Sequence, residues 1–298
     1  MQLLQETLVL ARSFATRSNP VRGSAFTLIE LLVVMAIIMI LASMLLPTFA
    51  RSHEKAQMTT CRNNLRQIAV ATKLYIDDNQ HRFPLKFVAR IDPATGKGID
   101  GVWNAQYSMG GPDATPEWMD EEGEAPPAAY RPFYKYTPPT AVYRYPRDKG
   151  MPASRLTPSN WATLGCSYHY NAGALSWLAG GMPSRPFADA SSEMAEKSEN
   201  WVTDPIREIL FYESPARIYC LPTLFLGQSK SPYWHQWHEA TQIVEFTDPG
   251  LARSRFISPI AFVDGHVARH DFTRNILQDT AFPYEPTKDW VWYKPADE

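Results

Sequence analysis

The sequence predicts an α+β protein: one long N-terminal helix packed on an antiparallel β-sheet head. Three observations predict it. Residues Leu31 to Ala50 form an unbroken run of 20 uncharged, mostly apolar residues. The stretch after it keeps apolar residues at helical spacing as far as about Asp78. Beyond Phe83 the composition changes, and all but two of the chain's 25 prolines follow that point, together with much of its Trp and Tyr. Such a composition suits loops and short strands.

The apolar run comes first. At ~1.5 Å rise per residue a helix of this length crosses a ~30 Å hydrocarbon layer. No second run of the kind occurs in the sequence. Ahead of it, residues 1–25 carry Arg12, Arg17 and Arg22 against the single acid Glu6. This basic leader predicts an N-terminus left in the cytoplasm and everything after Arg51 outside it. A secretory signal cut after Thr48-Phe49-Ala50 is a competing reading, but the apolar run exceeds the usual length of roughly 7 to 15 residues for a signal core. The chain as a whole holds 29 basic and 31 acidic residues, a balance that excludes a general cationic field for nucleic acid.

Within the run, Glu30 is the anomaly. A carboxylate inside a membrane helix costs about 2.5 to 3.5 kcal/mol on insertion scales, so it faces a partner or carries a function. The stretch "AFTLIELLVVMAIIMILASMLLP", Ala25 to Pro47, resembles the N-terminus of type IV prepilins and type II secretion pseudopilins: a basic leader, a small residue, then Phe-Thr-Leu-Ile-Glu opening an apolar helix. The resemblance implies that a prepilin peptidase cuts between Ala25 and Phe26 and methylates the new amine of Phe26. Glu30 then becomes fifth in the mature chain and neutralises the terminal amine of a neighbouring subunit, which makes it a register device. Pro47 falls where such proteins carry a helix-bending proline near the membrane exit. Ala25 departs from the commoner Gly before the cut; cutting after Gly23 instead makes Glu30 seventh and breaks the pattern.

The same resemblance implies the organisation and the role: a leader at 1–25, a transmembrane helix at 26–50, an amphipathic continuation at 51–82 and a β-rich head at 83–298, the lollipop layout of pilin-like proteins. The implied function is a non-enzymatic pilin-like subunit of a type II secretion pseudopilus or a type IV pilus. The head lies in the periplasm on a single inner-membrane span. The implied partners are prepilin peptidase, other pilin-like subunits, the inner-membrane assembly platform and membrane lipid, with no nucleic acid and no cofactor. A different class of reading is a signal-anchored periplasmic enzyme or carbohydrate-binding protein, for which a carboxylate in the anchor has no use.

After the membrane run, Cys61, Leu65, Ile68, Thr72 and Tyr75 follow the 4-3-4-3 spacing of one helix face, widened by Ala69 and Ile76. Asn79 and Pro84 predict its end. The stripe reads as core packing. In the head, "AVYRYP", "CSYHYNA", "REILFYES", "TQIVEF", "PIAFVDG" and "HVARHDF" are strand candidates, and segments 91–129 and 179–205 read as surface insertions. Asp264-Gly265 between two β-prone runs predicts a two-residue hairpin. "CRNNLRQIAVATKLYIDDNQHRFP" and "IAFVDGHVARHDF" resemble large prepilin-like proteins with a C-terminal His-x9-Asp-Gly domain, but Ser254 stands in place of the His. "RYPRDKG" resembles a Cys-Pro-x-Asp element of the same proteins, with Tyr145 at the Cys position.

Three cysteines, Cys61, Cys166 and Cys220, allow one disulfide in an oxidising compartment, and Cys166 with Cys220 is preferred because both lie in the head. "YWHQWHEA" offers His235, His238 and Glu239 as metal ligands, but the order is not His-Glu-x-x-His and no third ligand is fixed by spacing, so the reading is no metal. Asp77, Asp78 and Asp264 form no Asp-x-Asp-x-Asp-Gly calcium loop and read as solvated acids. No Gly-x-Ser-x-Gly, phosphate loop or dinucleotide fingerprint occurs, and the chain is expected not to be an enzyme.

Overall fold

The computed structural model describes residues 27–92, 94–121, 125–138, 141–150, 159–172, 194–213, 216, 238, 253, 255–273 and 288–291. The chain divides into two compact units, Met1–Arg51 and Ser52–Glu298. Helix α1, Leu28–Asp78, contributes to both.

In the first unit α1 is apolar all round. Leu28, Ile29, Leu32, Met39, Leu46 and Phe49 are among its exposed side chains, the pattern of a helix whose solvent is not water. Pro47 lies inside the helix and removes one backbone donor. Thr48 Oγ1 beside it donates to the carbonyls of Met44 (3.2 Å) and Leu45 (2.8 Å).

In the second unit one stripe of α1 is buried: Cys61, Asn64, Leu65, Ile68, Ala69, Ala71, Thr72 and Ile76, with Tyr75 partly buried against the core. The helix ends at Asp78. Asn79 Nδ2 donates to Tyr75 O (2.7 Å), His81 N donates to Ile76 O (3.0 Å), and Gln80 and His81 take left-handed φ values of 56° and 55°, a Schellman-type stop without glycine. Glu54 pairs with Arg147 at 2.7 Å and Asp78 with Lys135 at 2.7 Å, while Lys73 pairs with Glu199.

The main sheet has the order β3-β4-β5-β6 and is antiparallel throughout: β3 Tyr168–Tyr170, β4 Ile209–Glu213, β5 Ile257–Phe262 and β6 Val267–Asp271. Both β4 and β5 are buried along their whole length, as strands covered on both faces are. The core joins Leu65 and Ile68 of α1 to Tyr170, Phe211, Phe133 and Tyr143. A second, two-stranded sheet pairs β1, Phe87–Ile91, with β2, Gly98–Asn104.

Four expectations change. The hairpin between β5 and β6 has a three-residue loop, Val263 to Gly265: Phe262 N donates to His266 O (3.0 Å) and Gly265 N to Phe262 O (2.9 Å). Only Gly265 takes a positive φ, 90°. This is a turn closed by a left-handed glycine, whose twist suits the strands as well as a two-residue turn does. "AVYRYP" is no strand, because Ala141–Tyr143 is a 3-10 turn. Tyr143 and Tyr145 are buried and Arg144 is exposed, so the alternation is present without a partner strand to make it β. Segment 91–129 is not merely a surface insertion, since it carries β2 and buries Trp103, Ala105, Tyr107 and Met109. In segment 179–205, residues 194–205 place Met194 and Val202 in the core, and 179–193 lie outside the described residues. The candidate strand "TQIVEF" also lies outside them.

Asp148, from the "RYPRDKG" stretch, organises the loops beside the sheet. Its carboxylate accepts from Gly150 N, Asn160 N, Asn160 Nδ2, Trp161 N and Ser167 Oγ. The first three of those distances are 2.9, 3.0 and 3.0 Å. It therefore holds the start of the short helix α2, Asn160–Leu164, against the chain leading into β3.

His270 on β6 is enclosed by Phe262, Phe272 and Trp290, with ring centroids 5.5, 6.0 and 4.9 Å away. Burial pushes its pKa down to about 4, with Asp289 opposing and His266 assisting. The unfolded chain takes this proton first, so the stabilisation is complete above about pH 6.5 and is lost as pH falls toward 4. Chemical unfolding across that window should show a loss of roughly 3 kcal/mol, and His270→Phe should flatten that part of the profile.

Candidate functional site

The sequence-predicted assembly residue, Glu30, sits in the first turn of α1. Thr27 is the residue before the helix. Its hydroxyl oxygen accepts from Glu30 N (3.3 Å), and the Glu30 carboxylate accepts from Thr27 N (2.9 Å) and Thr27 Oγ1 (2.7 Å). This is a reciprocal capping box: Thr27 satisfies a backbone donor three residues on, and Glu30 satisfies the donor of Thr27. The negative charge also stands at the positive end of the helix dipole. Thr27 was not singled out as a site residue, although Thr-x-x-Glu before an apolar run is the sequence signature of this cap.

The arrangement answers the cost of the carboxylate only in part. One oxygen, Oε2, takes both contacts from Thr27. An ionised carboxylate offers about four acceptor sites, so the group keeps capacity for a further donor, above all a cationic one. Ala25 and Phe26, the expected cleavage and methylation positions, lie outside the described residues. Pro47 lies on the same helix, 17 positions beyond Glu30.

Residues 22–46 match the family model of the prokaryotic N-terminal methylation motif. The N-terminus is of the prepilin type. The match takes in Ala25, Phe26 and Glu30 and ends one residue before Pro47. It makes the chain a substrate of the kind cut by prepilin peptidase, and the apolar part of α1 fits the single membrane anchor of a prepilin-like protein. No curated protein and no solved structure matches the chain.

The head holds the other expected site residues. Cys166 is a free, buried thiol whose Sγ donates to Tyr168 O (3.0 Å), and burial pushes its pKa up to about 12. Cys220, its expected disulfide partner, lies outside the described residues, as do His235 and Glu239. Asp78 is engaged by Lys135 and by the hydroxyl of Tyr136 (3.0 Å), and Asp264 by the backbone N–H and ring of His266.

His238 is buried, and its backbone pairs with Ile257 at the start of β5. Its ring meets Cys61 from α1 and Glu213 from the end of β4: one donor atom from each of the three lies within 4.8 Å of the others. All three residues are fully buried. Glu213 Oε2 accepts from Ser258 Oγ (3.0 Å) and lies 3.7 Å from His238 Nε2. Glu213 Oε1 and both ring nitrogens of His238 have no hydrogen-bond partner among the described residues. Each orphaned buried group costs about 1 to 3 kcal/mol. Sequence reasoning flagged His238 together with His235 and Glu239, which lie outside the described residues, read Cys61 as core and did not single out Glu213. The three lie far apart in the chain, and no spacing signal could have joined them.

Thr27→Val removes the side-chain cap while keeping the branched shape. In detergent micelles, amide exchange in the first turn of α1 should rise about five-fold, equivalent to a loss of about 1 kcal/mol. Exchange in the Leu65 to Ile76 segment should stay unchanged.

Proposed function

We propose that the chain is a pilin-like structural subunit of a type II secretion pseudopilus or type IV pilus. It is anchored in the inner membrane with its N-terminus in the cytoplasm and its head in the periplasm until assembly, and it has no catalytic activity of its own. The observation that carries the reading is Glu30: a carboxylate inside an apolar run, four positions after Phe26, within the matched methylation motif. An anchor gains nothing from that charge. A subunit that must find one register among identical neighbours gains a test of alignment, because a carboxylate left without its cation in an apolar surround penalises every wrong stagger. The partner cation in this reading is the methylated amine of Phe26 on an adjacent subunit.

The capping box fits this role. It holds the carboxylate at the helix start by a backbone and a side-chain contact, so little freedom remains to be lost when the amine arrives. The resemblance of the head to large prepilin-like proteins with a C-terminal His-x9-Asp-Gly domain supports that variant of the class, with Ser254 in place of the His.

Intact and peptide mass of the membrane-extracted protein tests the reading. A start at Phe26 with one added methyl is expected; a start at Arg51, or an uncut leader, overturns it. Separately, Glu30→Val should leave cleavage largely intact and reduce incorporation into filaments at least ten-fold, read by shearing and immunoblot. Incorporation equal to that of the unaltered chain removes the register role.

A further inference from the structure

We propose that Cys61, Glu213 and His238 bind a zinc ion through three protein ligands, with the fourth tetrahedral position left for a water, and so clip helix α1 to the β-sheet of the head. The donors come from three separate elements: Cys61 from α1, Glu213 from the last position of β4, and His238 from the residue bridged to Ile257 of β5. A thiol, an imidazole and a carboxylate are the three ligand types that zinc takes, whereas a sulfur donor disfavours calcium and magnesium. Ligands at about 2.0 to 2.3 Å from a tetrahedral zinc stand roughly 3.3 to 3.8 Å apart. The three donor atoms already lie within 4.8 Å of one another and His238 Nε2 within 3.7 Å of Glu213 Oε2, so closing onto an ion requires shifts of about an ångström or less.

The polar atoms of the site point the same way. Three fully buried atoms, Glu213 Oε1 and the two ring nitrogens of His238, lack hydrogen-bond partners among the described residues. The Glu213 carboxylate takes a hydrogen bond with the Cys61 side chain, so thiol, carboxylate and imidazole already converge as the donor set of a metal centre does. Ser258 Oγ on Glu213 Oε2 supplies the outer contact that orients a ligating carboxylate. The ring of Tyr145, centred 5.8 Å from that of His238, and Tyr168, whose hydroxyl hydrogen bonds with the Cys61 side chain, border the site. On binding, the Cys61 thiol gives up its proton and the thiolate sulfur donates a lone pair to the ion, with no change of oxidation state. Because the ligands are enclosed, the ion is taken up as the head folds.

The full-length protein, produced in cells grown with added zinc so that the ion is present as the head folds, is purified in detergent with a thiol reductant, passed through gel filtration and assayed for metal. About one zinc per chain is expected, falling to under one tenth in Cys61→Ser and His238→Ala. His266→Ala, a turn histidine outside the cluster, keeps its zinc. Unaltered protein that holds less than one tenth of a zinc overturns the proposal. Cobalt(II) loading guards against variants that misfold: the unaltered protein and Cys166→Ala should both show thiolate-to-cobalt charge-transfer absorption with tetrahedral d–d bands. Bound cobalt without that thiolate absorption, or its loss in Cys166→Ala rather than in Cys61→Ser, overturns the assignment of Cys61.

Discussion

The head depends on one contact, the Cys61 to Ile76 face of α1 against the inner face of the β3-β4-β5-β6 sheet. Leu65, Ile68 and Ile76 are each no more than 1% exposed, and burial of such side chains contributes roughly 1.5 to 3 kcal/mol apiece. A helix stripe and a sheet face are each unstable alone, so each is the other's cover. The stripe is not purely apolar, and every polar group on it is answered locally. Thr72 Oγ1 returns to Ile68 O at 2.9 Å. Asn64 spans from helix to sheet, donating to Arg144 O at 3.1 Å and to Tyr168 Oη at 3.2 Å. Cys61 faces Glu213.

The same accounting governs the other end of the helix and the loops. Thr27 and Glu30 satisfy each other's backbone donors where the first turn has no acceptors of its own to offer them. Asp148 gathers five donors from one helix start and its flanks. Arg131 shows the limit of the device. Its buried guanidinium donates to Pro126 O (2.9 Å) and Gly110 O (2.7 Å), and burial draws its pKa down to about 10.

Much of this was legible because it is local or periodic. The spacing of Leu65, Ile68 and Thr72 marks the buried stripe, and Asn79 marks the helix end. Tyr168–Tyr170, Ile209–Glu213 and the two strands around Gly265 fall within runs of aromatic and β-branched residues. What stayed hidden has a common cause, namely that partners distant in sequence decide it. Tyr143, Arg144 and Tyr145 alternate in burial like a strand, yet among the described residues no strand lies alongside them to pair. The β1–β2 hairpin is built from a Gly- and Asp-containing stretch of weak β preference, and it forms because Trp103 and Ala105 find cover. Glu213 ends a strand buried on both sides, where no alternation can set one residue apart. Its convergence with Cys61 and His238 is a property of the fold alone.

The brevity of β3 has a consequence for how copies of this chain meet. Among the described residues the main sheet ends on that strand, and it is three residues long. A foreign strand needs a longer row of open backbone groups to add itself to a sheet, so so short an edge offers little template for cross-β stacking. Proteins crowded into a common array at high local concentration face that hazard acutely. The β3 rim is thus a poor template for a neighbouring strand, which leaves β6, five residues long, as the longer of the two rims among the described residues.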